Sequence, residues 1–235
     1  EEKCILIKSD PVTCARYFEH RFQTFMINVM KNKLNPIGEI VDFFYRVEFQ
    51  QRGSPHVHML IWIKDAPEYN VTNQEKVARF IDKHVTCRRD DDISNLVNYQ
   101  THRHARTCRK KGKAICRFNF PLPPMPYTIV LDPLQDEDAK TIGSQNFQKV
   151  AKLLSDIKSD NSQEYSNFDN FLLKVDMNLA SYHQAIQATL SVSKVFLKRS
   201  VEEVRINSYN KTLLKCWEAN MDIQFILDPY ACVSY

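Results

Sequence analysis

Two histidines stand one residue apart in the run SPHVHMLIW, residues 54–62. On an extended strand, residues i and i+2 project from one face. His56 and His58 therefore point together, while Val57 and Met59 point the other way. Two neutral imidazoles so placed can chelate one divalent cation. Just upstream, Glu48 and Gln50 also share a face of the run IVDFFYRVEFQ, residues 40–50, and the turn at 51–55 folds them back alongside. An oxygen of Glu48 or of Gln50 would complete a mixed nitrogen–oxygen site of the kind suited to Mg2+ or Mn2+. The competing reading is a pair of ordinary half-buried strand histidines.

A second set of donors lies in THRHARTCRKKGKAICRFNF, residues 101–120: His102, His104, Cys108 and Cys116, with Cys87 upstream. Thiolate and imidazole together favour a structural Zn2+. The spacing contains no Cys-x2-Cys pair, and the expected set is Cys87, His104, Cys108 and Cys116, with His102 as substitute for His104. The same stretch carries Arg103, Arg106, Arg109, Lys110, Lys111, Lys113 and Arg117 and no acid, with Phe118 and Phe120 directly after. Cations that track phosphates beside rings that stack on bases suit single-stranded nucleic acid. Against this stands a metal-free basic loop with a solvated charged face.

The elements that must position these groups read as mixed α and β. A short strand is expected at 4–7. A helix follows over 10–33, with Asp10 as N-cap, Pro11 at its first position and Phe18, Phe22, Phe25, Met26 and Val29 on one stripe. The runs 40–50 and 57–63 form an antiparallel hairpin. Beyond it, 131–144 reads as an acidic loop, 145–157 as a helix and 159–167 as a polar connection. Then 178–190 is a helix, 201–206 a strand, 211–219 a helix and 222–227 a strand.

With 235 residues, 43% of them hydrophobic and 26% charged, the chain can bury a substantial core. The net charge of +4 is mild, so the placement of charge matters more than its sum. No apolar run is long enough to span a membrane and no signal peptide opens the chain, so no membrane partner is expected. The first residue is not Met, so a piece of a longer protein is expected. Seven scattered cysteines, an odd number, point to a reduced intracellular protein rather than a disulfide framework.

The stretch EFQQRGSPHVHMLIW resembles the His-hydrophobe-His strand of the HUH endonucleases, and more closely the Rep nuclease domain of eukaryotic Helitron transposons. The likeness runs through SDPVTCARYFEHR at 9–21, residues 38–67, CRFNFPLPP at 116–124 and residues 206–235. The resemblance implies an α+β fold: an HUH/Rep-type antiparallel sheet flanked by helices, the histidines on a central strand, with a Cys/His-rich insertion. It divides the chain into 1–67 and 168–235 as the two parts of the nuclease core, with 68–167 inserted between them. It further implies a nuclear enzyme that nicks single-stranded DNA at transposon ends, with a metal on the two histidines, a 5′-phosphotyrosine intermediate and a helicase domain in cis. The family's nucleophile pattern is Tyr-x-x-x-Tyr-x-x-Lys. Tyr230 and Tyr235 are five apart and do not fit it. Tyr235 aligns as the first tyrosine, and the rest of the pattern falls past it. Two other readings remain: an inactive or domesticated DNA-binding module, which would bind without cutting, and a zinc hydrolase, which would cut without a covalent adduct.

Overall fold

The computed structural model describes residues 5, 9–33, 35–49, 55–105, 108–109, 116–157 and 167–228. The chain divides into two compact units, Glu1–Ala66 with Lys215–Trp217, and Pro67–Leu214 with Glu218–Tyr235. Its elements are helices and small antiparallel sheets, an α+β fold.

The first unit is a helix laid on a hairpin. Helix α1, Pro11–Phe25, starts where its sequence says it must: the Asp10 carboxylate accepts the Thr13 N–H at 3.0 Å, and Pro11 needs no donor there. It continues as a π-helical turn, Met26–Met30. Phe22, Met26 and Met30, four residues apart, are its buried stripe. Strands β1, Ile40–Phe49, and β2, Pro55–Ile63, pair antiparallel, with Tyr45 opposite Met59 and Glu48 opposite His56. The Tyr45 face receives α1, as the Phe22 and Tyr45 rings lie 4.8 Å apart and Gln23 Nε2 donates to the Tyr45 hydroxyl at 3.0 Å. Trp217 packs against Phe18 and Phe25, with the Arg21 guanidinium over its ring.

Two expectations about this sheet need correction. Among the described residues β2 pairs only with β1, so the histidines sit on a hairpin strand and not on a central one. The run 222–227, expected as a strand, is unpaired, because Ile223, Phe225 and Leu227 bury themselves against Val77, Ile81 and Val85 instead. Of the run 4–7, only Ile5 is described, and it is helical.

The second unit holds helices α2, Gln74–His84, and α3, Ser94–Gln100, the strand pair β3, Ile129–Leu131, with β4, Lys194–Phe196, and helices α4, Glu137–Asp156, α5, Phe168–Val175, and α6, Leu179–Gln187. Helix α7, Lys211–Trp217, buries Leu213 and Leu214 here, and its last turn, Lys215–Trp217, counts with the first unit. The larger core gathers Val150, Leu154, Phe171, Tyr182 and Ile186. A second cluster joins Cys87, Ile93, Val97, Ile206, Tyr209 and Leu214. Residues 168–214 thus pack in one unit with the segment that begins at Pro67.

Helix α4 begins within the stretch expected to be an acidic loop. Asp136 accepts the Ala139 N–H at 2.7 Å, and Glu137 and Asp138 face the positive end of the helix. The expected strand at 201–206 is a 3-10 turn, Val201–Glu203. The Glu203 carboxylate accepts the N–H groups of Ser200 and Arg89, while buried Arg199 donates to the carbonyls of Glu203 and Ile206, and those bonds displace a strand ladder. Of the connection at 159–167, only Asn167, the N-cap of α5, is described. No helix among the described residues is long and apolar enough to cross a membrane.

Candidate metal centres

Antiparallel register puts Glu48 directly opposite His56 and Arg46 opposite His58. All four side chains leave the hairpin on the face turned away from Tyr45. His56 Nε2 and His58 Nε2 lie 3.0 Å apart. Glu48 Oε2 is 3.3 Å from the first and 3.1 Å from the second. Three donors bound at right angles to one ion at ~2.1 Å would sit ~3.0 Å from one another. The triangle fits that geometry without rearrangement. Its members are half-exposed, with side-chain exposures of 36% for Glu48, 37% for His56 and 60% for His58, so they do not form an apolar packing pair.

The second Glu48 oxygen is engaged separately: Arg46 Nη2 donates to Oε1. Partial desolvation pushes the Glu48 carboxyl up, but Arg46 first, then His58 and His56, outweigh it and hold the pKa below the ordinary carboxylate value. The carboxylate is therefore in its ligand form, with one oxygen fixed and one presented. Arg46 is absent from the residues that sequence spacing singles out, although the same i, i+2 rule that pairs Glu48 with Gln50 pairs it with Arg46. Gln50 and Tyr235 lie outside the described residues.

The second cluster forms in the second unit. His102 Nε2 and His104 Nδ1 are 3.3 Å apart, Cys108 Sγ is 3.6 Å from His104 Nδ1, and Cys116 Sγ is 3.4 Å from His102 Nε2. Tetrahedral zinc with ordinary bond lengths would separate two nitrogens by ~3.3 Å and nitrogen from sulfur by ~3.6 Å. All four donor atoms lie within 4.8 Å of one another. Backbone bonds hold the frame: His102 N–H donates to the Arg205 carbonyl at 2.7 Å, Arg117 N–H to the Cys108 carbonyl at 2.9 Å. Cys108 Sγ accepts the Ala105 N–H at 3.2 Å and lies at the same distance from the Ala105 carbonyl, so its position is fixed from two sides. Burial, followed by nearby Arg205 for His102 and by Arg109 and Arg205 for His104, lowers both imidazole pKa values and keeps the rings neutral. The His102 ring stacks on Phe120 at 4.5 Å.

Of the five candidate ligands, the structure brings together His102, His104, Cys108 and Cys116 and places Cys87 elsewhere. Cys87 is fully buried among Ile93, Val97 and Ile206, and its thiol faces the Lys198 carbonyl at 3.4 Å. Burial pushes its pKa up to about 11, against thiolate formation. Of the basic residues, Arg103, Arg109 and Arg117 are exposed. Arg117 lies over the exposed Phe118 ring at 4.4 Å. Arg106, Lys110, Lys111 and Lys113 fall outside the described residues.

No curated protein and no solved structure matches this chain. One family model does, over residues 1–61, and stops short of the resemblance at 116–124 and 206–235. That stretch contains Glu48, His56 and His58, and its family is described as the Helitron helicase-like domain at N-terminus: over these residues the chain carries a Helitron-related N-terminal domain.

Proposed function

We propose that this chain is the HUH-type, tyrosine-nucleophile domain of a Helitron rolling-circle transposase, a nuclear protein with a helicase in cis, and that it nicks and transfers single-stranded DNA at transposon ends. The observation that carries this reading is the Glu48–His56–His58 triangle on the open face of a hairpin, within the Helitron-related stretch. Its donor set suits Mg2+ or Mn2+. When bound, such a cation supplies positive charge to the oxygens of the scissile phosphate. Glu48 and the two neutral imidazoles hold it while cancelling only one of its charges. Tyr235 is the proposed nucleophile. Its phenol loses a proton, its oxygen bonds to phosphorus, and the bond from phosphorus to the 3′ oxygen breaks. The ester so formed conserves the bond for later rejoining.

The Cys/His cluster is proposed to hold one structural Zn2+, which would order a loop with little core of its own. That loop presents Arg103, Arg109 and Arg117 beside Phe118, a combination suited to the backbone and bases of a single strand. Arg106, Lys110, Lys111 and Lys113 belong to the same basic run of the sequence.

The test is a cleavage assay on single-stranded DNA with Mn2+, run on a denaturing gel that separates covalent protein–DNA adducts. The expected products are a nick and a 5′ adduct that Tyr235→Phe removes. His56→Ala and His58→Ala should each abolish cutting while leaving DNA affinity largely intact, because phosphate contacts elsewhere supply most of it. Cutting without an adduct would identify a hydrolase. Tight binding without cutting would identify a binding module.

A further inference from the structure

The hairpin face that carries the metal donors also carries two exposed aromatic rings. Residues 44, 46 and 48 of β1 share it with 56, 58, 60 and 62 of β2. Phe44 pairs with Leu60 and Asp42 with Trp62, which makes Phe44 and Trp62 diagonal neighbours, a separation that aromatic side chains can bridge. Phe44 is 60% exposed and Trp62 47%. Arg46 lies two residues from Phe44, ~7 Å along the strand, and Glu48 four residues, ~13 Å.

Single exposed apolar residues are ordinary, but adjacent ones beside charged groups call for a partner. The opposite face of the hairpin is already covered by α1 through Tyr45, so the rings are not spare core residues. A protein partner would want an apolar border, and this pair is bordered by Asp42 and Arg46 as well as Leu60. Exposed rings beside a site that would hold a phosphate are what an unpaired strand can use, because every base has a face to stack. A duplex keeps its bases stacked inside and cannot offer them.

We infer that Phe44 and Trp62 form a stacking platform for unpaired bases of the DNA strand whose phosphate lies at the Glu48–His56–His58 triangle, with Arg46 between the rings and the donors. This rests on the proposed single-stranded DNA substrate and adds where its bases are held.

The experiment titrates the full chain with an oligothymidylate and with an abasic strand of equal length, following tryptophan emission and affinity without metal. The oligothymidylate should quench emission, the abasic strand should not, and Trp62→Phe should remove the quenching while keeping a ring in place. Phe44→Leu and Trp62→Leu should each weaken oligothymidylate binding at least about five-fold and leave abasic binding unchanged. Equal affinity for the two strands, with quenching indifferent to Trp62→Phe, would overturn the platform. So would a dimer in sedimentation that Trp62→Leu dissolves without changing DNA affinity, since the surface would then belong to a second copy. Metal-dependent cutting by the native protein is scored separately. Cutting with base-indifferent binding removes the platform and keeps the nuclease, whereas base-dependent binding without cutting does the reverse.

Discussion

Glu48 divides its two oxygens between Arg46 and the two histidines, and that division holds the candidate ligand in one orientation. Glu48→Gln keeps the shape and removes the charge. It should weaken Mn2+ binding at least about ten-fold by calorimetry while barely moving the unfolding transition, since surface ion pairs contribute little to stability. Unchanged affinity would exclude Glu48 from the site. At this scale the sequence was informative because strand alternation is a strict rule: it puts His56, His58 and Glu48 on one side before any tertiary fact is known. Cys87 shows its limit. A buried cysteine is also a small hydrophobe, and residue type alone does not separate that role from a ligand's.

At the scale of elements, α1 and the hairpin were legible because their signals are local: a cap with its proline, and two alternating runs joined by a turn. Helix α4 was half missed, since acidic residues read as loop unless Asp136 is recognised as a cap. The strands expected at 201–206 and 222–227 failed because β-branched and aromatic residues there are buried by helices and turns. Gly143 marks another contact that only the fold reveals. A Cβ there would lie 2.8 Å from the Gln184 carbonyl oxygen and 2.7 Å from Ala188 Cβ. Gly143→Ala should therefore push α4 from α6 and cost ~1–3 kcal/mol in urea unfolding. In the other cluster, burial raises Cys87 to about 11 and Tyr209 to about 12. Raised values mean that both groups stay protonated in the fold after the unfolded chain has lost those protons. Stability is thus full below about pH 9 and should fall as pH rises through 11 and 12. Urea midpoints measured across that range check the sign. Zinc removal should act on a shorter stretch. Chelation, or Cys116→Ser, should release about one Zn2+ per chain and raise amide exchange across 102–120, while the cores around Val150 and Cys87 keep their protection.

For the whole molecule the net charge of +4 understates the pull on the proposed DNA strand, because cations are concentrated between residues 103 and 117 rather than spread. Each phosphate contact to a single strand adds about −0.7 to the slope of log affinity against log salt. Replacing Arg103, Arg109 and Arg117 with alanine together should flatten that slope by about 2 and weaken binding to all sequences alike. A change at one sequence only would mean that these arginines read bases. The two donor sets also differ in how far along the chain their supports lie. Glu48 and His58 are ten residues apart. So short a loop closes at small entropic cost, and a hairpin forms within about 1–10 μs. His102, by contrast, is tethered to the Arg205 carbonyl. On the ribosome, where the N-terminal part emerges first, the hairpin can bring its three donors together long before Arg205 has been added. The two donor sets would then be completed in a fixed order, the hairpin's first and the Cys/His set's only after Arg205.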